Sequence, residues 1–186
     1  TFVKAGSDPD ILYVNKPHIG TDVLRIVIKN LREEIIALGG EVRFGSKISD
    51  LLIKENRLYG IKVNGEEELP CEALVLAVGH SARDTFKKLN ELGVKIAPKN
   101  FAVGVRIEHL QKDINMAQYG NKTKLKLGSA DYKLVYHASN GRTCYTFCMC
   151  PGGFVVNASS EEKRLAINGM SNFDRDEKNA NSAIVV

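Results

Sequence analysis

The 186-residue sequence has no tryptophan, and aromatic residues make up only 7% of it. Nucleic-acid platforms stack bases on aromatic rings beside Arg and Lys, and no such interleaving is present. The net charge of +4 comes from interspersed lysines and glutamates, as in "NLREEI" and "SSEEKR", so no basic stripe follows a phosphate backbone. No nucleic-acid partner is expected. No apolar run reaches the roughly eighteen residues that cross a bilayer, and no signal-peptide pattern opens the chain. These absences predict a soluble, cytoplasmic protein without a membrane partner. With no secretory signal, the four cysteines are expected as free thiols. The glycine fingerprint G-x-G-x-x-G, which seats a dinucleotide pyrophosphate, is also missing.

What is present is ordinary globular composition, 44% hydrophobic and 26% charged, enough for one domain with a real core or two small ones. Thr1 in place of methionine, and a closing "SAIVV" of strand character, suggest ends cut from a longer polypeptide. Loop vocabulary fills residues 1–20. A helix is predicted over 22–38, with Leu24, Val27, Ile28, Leu31, Ile35 and Leu38 in one stripe, Thr21 as N-cap and Gly39-Gly40 as its stop. "EVRF" predicts a short strand. "ISDLLIK" and "RLYGIKV" predict a hairpin about Glu55-Asn56, and "NGEE" turns the chain again. "ALVLAV", apolar on both faces, predicts a buried strand of a parallel sheet. Ser81 then caps a helix through Leu92, with Asp84 as its capping-box partner. After Pro98 the texture becomes mostly strands: "FAVGVRI", "YKLVYHA", "TCYTFCM", "GFVVNA" and "RLAIN", with a helical turn at "DINMAQYG". The polar "NGMSNFDRDEKNANSAIVV" is expected as a loop, with Arg175, Asn179 and Asn181 holding it or a substrate.

Several constellations admit both a chemical and a plain reading. Gly79 ends the "ALVLAV" strand, where open α/β sheets bind ligands, and a glycine lets backbone approach without a Cβ. The plain reading makes it a turn residue. In "KPHIGTD", His18 is suited to acid–base work near neutral pH, or to loop packing. In "GVRIEH", Arg106 either pairs with Glu108 or forks onto a substrate carboxylate. Cys144, Cys148 and Cys150 share one strand face at period two. Their spacing is not that of a zinc ribbon and no fourth ligand is near, so no metal site is expected and packing is the favoured role.

Five ordered stretches carry a resemblance: "KPHIGTDVLRIVIKNLREEIIALGGEVRF", "LVLAVGHSARDTF", "PKNFAVGVRIEH", "FCMCPGGFVVNASSEE" and "NGMSNFDRDEKNANSAIVV". Together they resemble the central portion of bacterial FAD-dependent dehydrogenases, flavoproteins with a glutathione-reductase-type FAD-binding fold. The resemblance implies an α/β plus β-rich chain: a partial Rossmann-like FAD/NAD(P)-binding domain over residues 1–97, a mostly β substrate domain over 98–170, and a segment, 171–186, returning to the first. It implies FAD in the intact protein, a small-molecule substrate, and NAD(P)H as a candidate electron donor. Cofactor contacts then fall on Lys47, Ile48, Ala77, Val78, Gly79 and His80, near Ser46, and substrate-side catalytic roles on His18 and Arg106. Lacking the pyrophosphate turn, the isolated chain is expected to bind FAD weakly or not at all. The competing reading is a non-catalytic α/β binding or assembly module without flavin. A nicotinamide-binding domain is disfavoured because the chain has no phosphate seat.

Overall fold

In chain order the elements are a 3-10 turn (Pro9–Leu12), α1 (Thr21–Ala37), β1 (Ile48–Lys54), β2 (Arg57–Val63), β3 (Glu67–Pro70), α2 (Arg83–Glu91), β4 (Gly104–Leu110), α3 (Gln111–Tyr119), β5 (Val135–His137), β6 (Thr143–Cys150), β7 (Gly153–Asn157), β8 (Ile167–Ser171) and β9 (Asn179–Val185). They come from a computed structural model of the chain, which describes residues 1–121 and 127–186. Residues 1–40 group with 101–186 in one unit, and residues 41–100 form a second. These units cut across the segments 1–97, 98–170 and 171–186 drawn from the sequence.

In the 41–100 unit two turns set the sheet. Glu55 and Asn56 take φ values of 50° and 58°, and Asn64 and Gly65 take 52° and 81°. Two successive left-handed residues match the twist of paired strands, so each turn closes a tight hairpin. The product is an antiparallel sheet in the order β1-β2-β3. The expected strands at "EVRF" and "ALVLAV" do not form, and Val75 is 90% exposed. A strand apolar on both faces needs cover on both faces as well as paired neighbours, and none of the described residues pairs with it. Every strand pairing among the described residues is antiparallel, so the expected parallel sheet is not formed by them. Ser81 also fails as a cap. Ala82 holds the N-cap position of α2, the Ser81 hydroxyl lies 3.2 Å from His80 Nε2, and Asp84 accepts from Thr85 N–H instead of closing a capping box.

The other unit holds a four-stranded antiparallel sheet ordered β4-β9-β6-β5 and a two-stranded ribbon, β7-β8. Its central strand β9 joins the "SAIVV" of expected strand character to Asn179, Ala180 and Asn181 from the stretch expected as a loop. Ala180, Asn181 and Ser182 are wholly buried there, because small and amide side chains fit between neighbours where bulk would not. The 171–173 segment also anchors α1. Gly20, at φ 84°, is the N-cap, and a Cβ there would lie 2.3 Å from Phe173 N. Thr21 is thus the first helical residue, and its hydroxyl donates to Ser171 O rather than capping its own helix. Asp22 Oδ1 accepts from Phe173 N–H at 2.9 Å. Along α1 only Val27 is buried; Leu24, Ile28, Ile35 and Leu38 of the expected stripe are exposed.

Gln111 ties the start of α3 to two loops. Its Nε2 donates to Ala130 O at 2.9 Å and to Asn115 Oδ1 at 2.8 Å, and its Oε1 accepts from Gly152 N–H at 2.7 Å. Gly152 is itself obligatory, since a Cβ there would lie 1.6 Å from Arg175 O. Replacing Gln111 by leucine leaves a buried N–H and a buried carbonyl without partners, at about 1–3 kcal/mol each. Urea unfolding of the whole protein is expected to show Gln111→Leu destabilised by roughly 2–4 kcal/mol, and Lys112→Leu, at an exposed position, within about 0.5 kcal/mol of wild type.

Candidate functional site

The 41–100 unit contains a cleft of about 950 Å³ between the entry to β1, the Asn64-Gly65 turn, the 76–78 segment and α2. Three of the residues expected at a cofactor, Lys47, Ile48 and Val78, line it. Ala77, Gly79 and His80 are exposed next to Val78 but are not among its lining residues. Gly79 has φ 73°, and no atom lies within 4 Å of where a Cβ would sit. Its left-handed backbone, not crowding by the protein, makes glycine the suitable residue.

Asn64 shapes the cleft rim and was not singled out from the sequence. Its backbone N–H donates to Lys47 O at 2.8 Å, its Oδ1 accepts from Lys47 N–H at 2.9 Å, and its Nδ2 donates to Gly45 O. Both backbone groups of Lys47 are therefore taken. The Asn-Gly turn dipeptide was the available signal, since asparagine at a turn commonly bonds nearby backbone.

The charges of the cleft are paired within it. Lys47 Nζ lies 2.5 Å from Asp84 Oδ2, Lys88 Nζ 3.2 Å from Asp50 Oδ2, and Lys87 Nζ 3.9 Å from Glu91 Oε1. The Lys88 hydrogen bond holds the Asp50 carboxyl below the usual range, overcoming partial burial and helped by the Leu51 N–H. The Lys47 hydrogen bond does the same for Asp84, followed by the Thr85 N–H. A phosphate would have to break such a pair to gain a cation. An uncharged ring or sugar would instead meet the side chains of Ile48, Leu76 and Val78. The cleft thus suits an uncharged ring or sugar better than a phosphate.

The residues expected on the substrate side lie in the other unit. His18 Nε2 is 2.9 Å from Asn172 O, at the foot of α1. Burial works to raise the Asp22 carboxyl close by, but the Phe173 and Val23 N–H groups, with His18, bring it below its ordinary value. Arg106 does not pair with Glu108 among the described residues. Its Nη1 donates to Asn181 Oδ1 at 2.6 Å and to Cys148 O at 3.1 Å, so its guanidinium crosses β9 to reach β6. Sequence reasoning gave Asn181 a loop role; it is a wholly buried partner of Arg106.

The cysteines are free, as expected, but do not share a face. Phe147 pairs with Ala183 and Cys150 with Asn181, so β6 carries one extra residue, and Cys148 sits there at φ 48°. This bulge turns Cys150 to the face of Phe147, opposite Cys144. No group of three or more metal-ligating side chains occurs among the described residues. No helix among them is long and apolar enough to cross a membrane.

Residues 100–186 match the family model described as "FAD-dependent protein, C-terminal domain-like". The chain is also similar to an uncharacterized protein of Clostridium beijerinckii, 54% identical over 187 residues. That similarity covers all of this chain and 35% of the relative, so the chain spans about a third of the length of the curated relative it matches. The family match supports a flavoprotein-related fragment.

The ion pairs of the cleft make a prediction about acid. A carboxyl lowered in the folded state stabilises it above the unfolded value, near pH 4, and that stabilisation is lost as pH falls through the folded value. Carboxyl NMR titration of the whole protein is expected to place Asp50 and Asp84 below ordinary aspartates. In Lys88→Met, Asp50 moves back up while Asp84 stays in place. Equal movement of both would contradict separate pairs.

Proposed function

We propose that this chain is the central part of an FAD-dependent oxidoreductase, carrying one wall of the cofactor site and a β-rich substrate region. The observation that carries the proposal is the match of residues 100–186 to the FAD-dependent C-terminal domain-like family. On this reading residues 1–97 complete a Rossmann-like FAD-binding domain with the rest of the protein, 98–170 form the substrate domain, and 171–186 return toward the first. Bound FAD supplies hydride exchange at its flavin, here between a small organic substrate and a donor such as NAD(P)H.

The chain's own residues then have separate tasks. Ile48, Val78 and the adjoining Leu76 offer an apolar wall to the adenosine half of the cofactor. Ala77, Gly79 and His80 present an exposed edge beside that wall, where an open backbone meets ribose hydroxyls. Lys47 holds Asp84 and steadies the rim, and the pyrophosphate seat lies with groups outside this cleft. His18 and Arg106, each bonded to a backbone carbonyl, act on the substrate side as positioning residues.

The test is the whole protein purified without added cofactor. It is expected to show the visible flavin absorption band and to release FAD on denaturation. A carboxylate placed on the wall by Ile48→Asp or Val78→Asp is expected to weaken FAD binding by about tenfold or more, because it desolvates against an apolar partner. Lys112→Ala is expected to leave binding unchanged. A protein without flavin, and without spectral change when FAD is added, would be the non-catalytic module instead.

A further inference from the structure

Three Asn-Gly dipeptides occur in the chain: Asn64-Gly65, Asn140-Gly141 and Asn168-Gly169. In such a pair no side chain on the glycine shields its nitrogen, which can attack the asparagine amide next to it. All three asparagines are exposed, so access to water does not separate them. Their bonding does. At Asn64 the side chain is held at both ends: Oδ1 accepts from Lys47 N–H at 2.9 Å, and Nδ2 donates to Gly45 O at 3.0 Å. The Gly65 N–H is itself donated to Ser49 Oγ at 2.9 Å. Asn168 lies in β8, paired with Val156 of β7. The Gly169 N–H does reach Asn168 Oδ1, at 2.9 Å, but closing a ring there takes the backbone out of the extended conformation of a strand. Gly169 has no room to follow, since a Cβ on it would lie 2.1 Å from Asn181 Oδ1. Asn140 sits instead in the loop between β5 and β6, and β5 is an edge strand. The bonds of this loop stay within residues 138–142: Ala138 N–H to Arg142 O, Gly141 N–H to Ala138 O, and Arg142 N–H to Asn140 Oδ1. Such a loop opens locally, with no strand displaced.

We infer that Asn140 is a site of spontaneous deamidation, and that the fold protects Asn64 and Asn168 from the same reaction. The Gly141 nitrogen, giving up its proton, attacks Asn140 Cγ. A C–N bond forms, the bond from Cγ to Nδ2 breaks, and Nδ2 leaves as ammonia carrying that proton. The ring that results is a succinimide. Water then adds across one of its two C–N bonds and leaves either aspartate or isoaspartate. Water is the only co-reactant. The product places a negative charge on the loop, and isoaspartate also lengthens the backbone there. The protected positions are those on which the rest of the structure depends. Asn64 braces the cleft rim through Lys47, and Gly169, beside Asn168, packs against Arg106 and Asn181. The inference stands whether or not the protein holds flavin.

The experiment incubates the whole protein at mildly alkaline pH, withdraws samples over days and maps the peptides by mass spectrometry. The peptide holding Asn140 is expected to gain the mass of NH exchanged for O at least about tenfold faster than those holding Asn64 or Asn168. Its product contains isoaspartate. In urea the three are expected to convert at similar rates, since each asparagine then precedes glycine in an open chain. Ser49→Ala, which frees the Gly65 N–H, is expected to speed conversion of Asn64 several-fold and leave Asn140 unchanged. Asn64 or Asn168 converting as fast as Asn140 in the folded protein would overturn the inference. So would an Asn140 that converts only in urea, or an Asn64 rate that Ser49→Ala does not raise.

Discussion

The hydrogen bond from Arg106 to Asn181, 2.6 Å long, is the contact that the β-rich unit is arranged around. An amide wholly buried in the middle of a sheet is costly unless its oxygen finds a donor. The Arg106 guanidinium supplies one from the next strand, and the same nitrogen reaches past β9 to the Cys148 carbonyl of β6. Three neighbouring strands are thereby tied by one side chain. The ribbon strand β8 depends on it too. Gly169 lies where a Cβ would stand 2.1 Å from Asn181 Oδ1 and 2.3 Å from Arg106 Nη1. An arginine, an asparagine, a glycine and a bulge on four strands are thus one constraint, and changing any of them presses on the other three.

That constraint also decides what Arg106 can do. A guanidinium forks onto a carboxylate through two parallel N–H groups; Arg106 spends Nη1 on holding the sheet, which leaves the Nε/Nη2 edge, whose buried Nε has no partner among the described residues. The cleft of the 41–100 unit follows a similar economy of charge. Three lysines line it and each faces an acid that also lines it. Exposed pairs of this kind contribute little to stability, about 0–1 kcal/mol each, but they leave a surface of nearly balanced charge beside an apolar wall. Such a surface suits a neutral ring more than an anion.

Local signals in the sequence were legible. Glu55-Asn56 and Asn64-Gly65 announce hairpins because their backbones tolerate positive φ, and α1 follows from short-range periodicity. Of the six positions placed through resemblance, Lys47, Ile48 and Val78 line one cleft, and Ala77, Gly79 and His80 do not. What was illegible depended on partners distant in sequence. Asn181 looks like a loop residue until β4 and β6 close on both sides of it. Period two placed the three cysteines on one face, and only the register of β6 against β9 reveals the extra residue that separates Cys144 from Cys150. "EVRF" and "ALVLAV" failed for the opposite reason: apolar spacing states what a segment is able to bury, not that something covers it.

The uncovered apolar residues therefore carry information of their own. Leu24, Ile28, Ile35 and Leu38 keep helical spacing along α1 and are exposed, with Leu38 at 81%. Fully burying an exposed leucine or isoleucine side chain gains about 1.5–3 kcal/mol, and these four are between 38% and 81% exposed, so roughly 3–7 kcal/mol is left unrealised. That is of the order of the whole net stability of a domain, about 5–15 kcal/mol. Under the proposed function, the remaining two-thirds of a protein as long as the Clostridium beijerinckii relative supplies the covering surface. On that reading, a substitution on the apolar face of α1 lowers the stability of the whole protein, whereas one at Ile48 or Val78 weakens FAD binding.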